Sequence, residues 1–376
     1  MKINALLAAL GAAVIAMAAC EKDPSGKGPE ASGDKNLAGE TVSVGEISGI
    51  SKVFVLNEGG FGANNSTLDF LRPGEGKYVH NAYSQMNPKI TLGLGDVGND
   101  IAVNGDLVWI VVNNSGIVEV ISAKDETHVV SISVASPRNI AFDGDYAYVS
   151  SWGSPTGLVH KINTKTFEEV ASVAVGREPE GLAVWSGKLY VANSGGMSEV
   201  MENTLSVIDL ASFKVVDTIE IAVNPKSVFA DGKGNIYVSV FGDYFSVHSG
   251  LYRLEIGSGK VTRMGAGEAH NANVSVSAAA GGRIYAIGTD DEWNWDATAV
   301  KKYYLWTSDG SLSLDIDAAA PYGLAAFEDG GTLKALLIAD AIDYFNPGTV
   351  SYYAGEGPSR VWSVTAGVCP AHFAAY

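Results

Sequence analysis

From residue 51 onward, short apolar runs alternate with polar positions, and each run closes at a turn rich in Gly, Asn or Asp. Period-two alternation places successive side chains on opposite faces of an extended strand, so the pattern predicts β-strands. No stretch of this region carries a convincing helical period. The strands also repeat. Gly98-Asn99-Asp100-Ile101-Ala102-Val103 is answered by Pro137-Arg138-Asn139-Ile140-Ala141-Phe142 and Pro179-Glu180-Gly181-Leu182-Ala183-Val184. Further copies are Pro225-Lys226-Ser227-Val228-Phe229-Ala230, Pro321-Tyr322-Gly323-Leu324-Ala325-Ala326 and Pro370-Ala371-His372-Phe373-Ala374-Ala375, with a degenerate one near Asn273-Val274-Ser275-Val276. Neighbouring copies lie about 39 to 50 residues apart, the range for one propeller blade per repeat.

Within each repeat a turn pair follows the first strand: Asn104-Gly105, Asp143-Gly144, Ser186-Gly187, Asp231-Gly232, Gly281-Gly282 and Asp329-Gly330. Such pairs tolerate positive φ and close tight hairpins whose twist suits the flanking strands. Second strands then read as Leu107-Val112, Ala147-Ser151, Lys188-Asn193, Ile236-Val240, Arg283-Gly288 and Lys334-Ala339. Third and fourth strands are clearest at Val159-Asn163 with Glu169-Val175, and at Leu205-Leu210 with Val215-Ile221. Four strands per repeat predict an all-β, seven-bladed β-propeller over residues 51–376. The chain enters at Lys52-Val53-Phe54-Val55-Leu56, a second strand with no first strand before it. Pro370 to Tyr376 supplies the missing strand, so the C-terminal strand is expected to complete the N-terminal blade and remove the open edge.

Composition narrows the partners. The formal net charge is −17, and removing residues 1–19, which hold Lys2, makes it −18. Phosphate recognition needs a basic face, so nucleic acid is excluded as a partner, and contact with membrane is left to a lipid anchor alone. Of the two cysteines, Cys369 sits at a strand start and is expected to be buried packing, and Cys20 is explained by position rather than pairing. Met1-Lys2 followed by the apolar run Ala5 to Ala16 reads as an export signal, too short to span a bilayer. Met17-Ala18-Ala19-Cys20 resembles a bacterial lipobox, which implies cleavage before Cys20 and lipid attachment to its sulfur. Glu21-Lys22-Asp23 resembles the charged export tag of Bacteroides-type surface lipoproteins, which implies an outer-membrane address facing the exterior. Residues 20–50 are expected to be the lipidated cysteine and a flexible Gly/Ser/Pro-rich tether.

The motifs Tyr190-Val191-Ala192-Asn193 and Thr204-Leu205-Ser206-Val207-Ile208-Asp209 resemble the repeats of YncE-like seven-bladed propellers. The opening Val55-Leu56-Asn57-Glu58-Gly59-Gly60-Phe61-Gly62, with Asn65-Ser66-Thr67-Leu68, resembles the first blade of a Bacteroides-type surface-lipoprotein branch of that group. Some members of the branch are corrinoid-capture lipoproteins of the BtuG type. The resemblance therefore implies ligand capture, with vitamin B12-type corrinoids as the leading ligand and an outer-membrane TonB-dependent transporter as the partner.

In a propeller, the loops from fourth to first strands and from second to third strands converge on one face around the axis, where function is expected. The first kind contributes Arg138, Glu180, His270, Tyr322 and His372 as candidate ligand contacts. The second kind contributes Asn57, Glu58, Trp152, Asn193, Phe241, Tyr244, Trp293, Trp295 and Tyr344. Exposed Trp and Tyr provide large amphipathic contact at low entropic cost. The segment Asp290-Asp291-Glu292-Trp293-Asn294-Trp295-Asp296 mixes aromatics with carboxylates and suits a planar polar ligand or a sugar. Calcium is the alternative there, although the spacing is not that of an EF-hand loop; no cofactor is otherwise expected. Neither a GxSxG nor an HExxH motif is present, so a binding module is favoured over an enzyme. A glycan- or protein-binding adhesion module is the first alternative, and a propeller lactonase or hydrolase, with His270, His372, Arg138, Glu180 and Glu58 as its acid/base set, is the second.

Overall fold

The computed structural model describes residues 37–376 other than 38, 46, 48, 154, 266–272, 290–300 and 356. Among them are seven antiparallel sheets, six of four strands and one of five. The inner strands are Gly98–Asn104, Pro137–Asp143, Pro179–Trp185, Pro225–Ala230, Val274–Ala280, Pro321–Asp329 and Pro370–Ala375. Each contacts the next in turn, and the last meets the first, so the ring closes. This is the seven-bladed propeller that the repeat predicts.

The sequence places strands well because each blade is built from local hairpins. Gly105 and Gly144 adopt φ of 60° and 56°, the left-handed geometry that a two-residue hairpin needs. The second strands are buried on both faces, as in Val53–Asn57 and Leu107–Val112, because a neighbouring blade covers each side. Trp109, Val111, Ile140 and Val149, for example, share one cluster across two blades. Each such fully buried side chain contributes roughly 1.5–3 kcal/mol. At the axis the backbones approach so closely that glycine is required. A Cβ on Gly181 would lie 2.5 Å from the Lys226 carbonyl oxygen, and one on Gly323 would lie 2.2 Å from that of Ala371.

The C-terminus closes the ring as expected. Val53–Asn57 pairs antiparallel with Pro370–Ala375, matching Phe54 with Ala374 and Leu56 with His372. The final residue reaches further, because Tyr376 donates its hydroxyl to Asp106 at 2.9 Å. The tether assignment needs a correction at its C-terminal end. Gly39–Thr41 forms a fifth strand on Lys77–Val79, and Val42 and Ile47 are buried against the seventh blade. With Val44 they are the apolar side chains of an otherwise polar segment, and the outer edge of the first blade offers them a surface. A short helix, Ala82–Met86, also follows the first blade and buries Tyr83 and Met86. No helix among the described residues is long and apolar enough to cross a membrane.

Candidate functional site

Each inner strand starts at the loop face, and in four blades it starts the same way. Ser136, Glu178, Asn224 and Cys369 take left-handed φ of 45°, 47°, 60° and 51°, each immediately before a proline. That conformation is costly for a non-glycine residue, so the ring must hold it in place. The joint turns the following residues toward the axis, where they surround a cavity of about 750 Å³. That size suits a drug-sized ligand.

The mouth of the cavity carries a collar of charged side chains. Arg138 grips Glu180 through two nitrogens, Nε at 3.1 Å and Nη2 at 2.9 Å from Oε1. Its guanidinium lies over the Trp152 ring, 4.2 Å from the centroid. Glu58 accepts from the Tyr322 hydroxyl at 2.7 Å and pairs with His372 Nε2 at 3.0 Å. Burial works against its ionisation, but the His372 and Tyr322 contacts prevail and hold the Glu58 carboxyl below the usual range. The Tyr322 hydroxyl is pushed well above its own range by burial and by the Glu58 charge. Asp100 accepts from the Ile140 amide at 2.9 Å and from Asn139 at 3.3 Å, tying two inner strands together. Burial pushes its carboxyl upward.

Lys226 differs from the rest. Its ammonium lies over the Phe241 ring at 4.5 Å, and among the described residues nothing accepts a hydrogen bond from it. Burial lowers its pKa, while Glu58 and Glu180 act through space to raise it. Below the collar the cavity wall turns apolar, with Leu182, Val228, Phe229, Phe327 and Phe373 among the lining.

The structure brings Glu58, Arg138, Glu180, Phe241, Tyr322 and His372 to this cavity, as expected from the sequence. Asn57 and Asn193 require correction. They are 0% and 1% exposed, and their side chains lie inside the ring instead of at its mouth. Asn57 donates to Thr67 Oγ1, and Asn193 accepts from the Gly176 amide and donates to Thr204 and Ser206. A residue that ends a second strand points between blades, which is why these two do not reach a ligand. Trp152 is also reassigned, since it supports Arg138 from below instead of lining the cavity. Tyr344 packs edge-on against Tyr322 at 5.5 Å, and the Tyr244 hydroxyl accepts from Asn224 at 3.2 Å, so both border the site. Cys20, His270, Trp293, Trp295 and the rest of the 290–296 segment lie outside the described residues. Cys369 is buried, and burial pushes its thiol up to about 11, which suits packing rather than reactivity.

Lys226 and Asp100 are cavity-lining residues that sequence reasoning left out of the chosen set. The signal was present: Arg138, Glu180, Lys226 and Tyr322 each follow the proline that opens an inner strand. A second missed signal is a duplicated tetrad, Asp243-Tyr244-Phe245-Ser246 in the fifth blade and Asp343-Tyr344-Phe345-Asn346 in the seventh. In both, the aspartate caps the amides two and three residues on, and the phenylalanine is left 80% and 86% exposed. A third is the relay in which Ser151 Oγ meets His160 Nε2 at 2.9 Å and His160 Nδ1 meets Glu169 at 3.1 Å. It has the order of a nucleophile relay, but Ser151 is 2% exposed and away from the cavity, so it pins three strands together.

Residues 51–319 match the family described as Domain of unknown function (DUF5074). The chain belongs to that family. No curated protein matches this DUF5074 chain. Among solved structures, hydrazine synthase of Kuenenia stuttgartiensis is similar with a TM-score of 0.59 at 18% identity, over 73% of this chain and 88% of that one. A quinonprotein alcohol dehydrogenase-like protein from Bacteroides thetaiotaomicron VPI-5482 is similar with a TM-score of 0.58 at 14% identity, over 86% and 77%. A functionally unknown protein from Desulfotomaculum acetoxidans DSM 771 is similar with a TM-score of 0.59 at 11% identity, over 86% and 98%. At such identities these likenesses concern the propeller fold alone.

Proposed function

We propose that this DUF5074 chain is a capture module that binds a small molecule on the loop face of its propeller, displayed at the outer membrane through a lipid on Cys20. The observation that carries the reading is the collar: five polar side chains from four blades, Arg138 with Glu180 and Glu58 with Tyr322 and His372, converge on one cavity and are held in place by one another before any ligand arrives. Such preorganisation favours binding because little side-chain freedom is left to lose. Binding is preferred to catalysis because Glu58, His372 and Tyr322, the acid/base groups at hand, are engaged with each other. Cys369, buried behind Tyr344 and outside the cavity lining, has its thiol raised by burial.

Within this reading, the resemblance to corrinoid-capture lipoproteins makes a corrinoid the first ligand to titrate and a TonB-dependent transporter the partner. A corrinoid is larger than a drug-sized ligand, so it would rest across the aromatic rim above the cavity, near Tyr244, Phe245, Tyr344 and Phe345. Isothermal titration of the purified protein with cyanocobalamin and with cobinamide is the test. One-to-one binding that weakens in Phe245→Ser and Phe345→Ser variants is expected. No heat with either compound would remove corrinoids and leave the cavity to a smaller ligand.

A further inference from the structure

Among the described residues, each charged side chain of the collar has a hydrogen-bond partner, with one exception. Arg138 neutralises Glu180, Glu58 is satisfied by Tyr322 and His372, and Asp100 is satisfied by amides of its own and the next blade. Lys226 has an aromatic ring beneath it and the cavity before it, and no acceptor among the described residues. Lys226 is half-buried, and its ammonium opens onto the cavity without such an acceptor, so an anion entering the cavity can supply the charge-assisted hydrogen bond that the fold does not. Beyond the ammonium the wall is mainly apolar, with Leu182, Val228, Phe229, Phe327 and Phe373, and its polar side chains are the uncharged serines Ser227, Ser239 and Ser277. A head group bound at Lys226 would therefore have its body in apolar surroundings.

We infer that the axial cavity recognises an amphipathic acid, with the anionic head on Lys226 and an apolar body in the shaft below. The inference rests on the reading that this face captures a small molecule, and it names the class. It also separates two sites on one face: a rim that suits a wide ligand, and a shaft that admits only a narrow one. Within the shaft, Arg138 does not compete for the head group, because both carboxylate oxygens of Glu180 already occupy its fork.

Three probes that differ only in the head group test this: 2-naphthoate, 2-naphthylmethanol and 2-naphthylmethylammonium, titrated calorimetrically into the purified protein at low ionic strength. Naphthoate should bind one-to-one and about tenfold or more tighter than the alcohol, with the ammonium weakest, since only the acid gains a charge-assisted hydrogen bond. Lys226→Met keeps the aliphatic stem and should bring naphthoate to the alcohol's affinity without changing the alcohol. Lys226→Arg should keep the preference, and serves if the methionine variant folds poorly. Equal affinity for all three probes, a preference for the ammonium, or a naphthoate preference that survives Lys226→Met would overturn the inference. Naphthoate binding lost in Phe245→Ser but not in Lys226→Met would overturn it while leaving small-molecule capture on this face intact. Silence from all three probes would overturn it as well, and the corrinoid titration would then decide the wider reading separately.

Discussion

Two lysines set the ends of this ring against each other. Lys52, at the turn end, is 4% exposed, pairs with Glu126, and donates to the Ala123 and Lys124 carbonyls at 2.8 and 3.0 Å. Every bond it needs is met by the adjacent blade, so it acts as a seam. Lys226, at the loop end, has a ring beneath it and no acceptor among the described residues. The contrast extends to apolar groups. Of the large hydrophobic residues exposed among the described residues, Val129, Val170, Val216 and Val361 lie on outer strands, and the others, from Phe61 to Phe345, lie in loops of the loop face. At Lys52 the turn end is finished internally, whereas Lys226 and the exposed loop residues leave unmet bonding capacity at the loop end, as the proposed binding face requires.

Breaking the seam should have the largest effect. Lys52→Met strands the Glu126 carboxylate in a buried place, and removal of one partner of a buried pair costs about 3–5 kcal/mol. Urea denaturation should show a loss of that size; a loss near zero would mean that solvent reaches Glu126 and that the turn end is not sealed. Arg138→Ala removes the partner of Glu180 at the collar, where the cavity offers some water. Side-chain exposures there are 16% and 9%, so the cost should be smaller, about 2 kcal/mol. Trp152 would also lose its stacked cation, so ligand binding should fall with stability in this variant and not independently of it.

Acid should act on the collar next. Glu58 titrates below its ordinary range in the folded ring, so its contribution is complete above the unfolded value of about 4.3 and is lost as pH falls through the lower folded value. Because Glu58 joins the first blade to His372 on the closing strand, the loss should appear in ring stability. The urea midpoint of the native protein should drop between pH 5 and pH 3 more steeply than that of Glu58→Gln, within roughly the window that such a shift spans. Parallel curves would show that the closing strand holds without this contact. By contrast, Lys226→Met should leave stability within about 0.5 kcal/mol, because the ammonium is half-buried on the cavity and makes no hydrogen bond among the described residues for the ring to depend on. The two lysine-to-methionine changes are chemically identical, so a shared outcome would erase the comparison.

The fold was legible because it is local and repeated. A hairpin such as Asn104-Gly105 declares itself through turn chemistry, and seven copies compensate for a degenerate one such as Asn273 to Val276. The collar was legible in part. Arg138, Glu180 and Tyr322 stand out as polar residues after a proline, and Glu58 and His372 stand out as charges near strand ends. Direction was not legible: whether Asn57 or Asn193 faces the axis or the next blade depends on the bulge that shifts register at the start of each inner strand. The unpaired state of Lys226 also lies beyond sequence, because it depends on which acceptors the closed ring brings near. The packing of residues 39–47 depends on an outer edge that only the assembled first blade provides.

The smallest expected effect tests the loop end most directly. In both duplicated tetrads the aspartate, not the phenylalanine, holds the loop: Asp243 and Asp343 each accept amide hydrogens at 2.7 to 2.9 Å. The hydrogen bonds and backbone amides keep both carboxyls below their usual range, so the caps stay ionised at neutral pH. The rings of Phe245 and Phe345 project into solvent on loops that do not need them. Converting both to serine should therefore change folding stability by less than about 0.5 kcal/mol, the ordinary size for surface positions. The same variant should weaken any ligand that rests across the rim while leaving naphthoate in the shaft untouched. A stability loss well beyond that size would mean that the rings pack against neighbouring loops, and the loop end would then be as finished as the turn end.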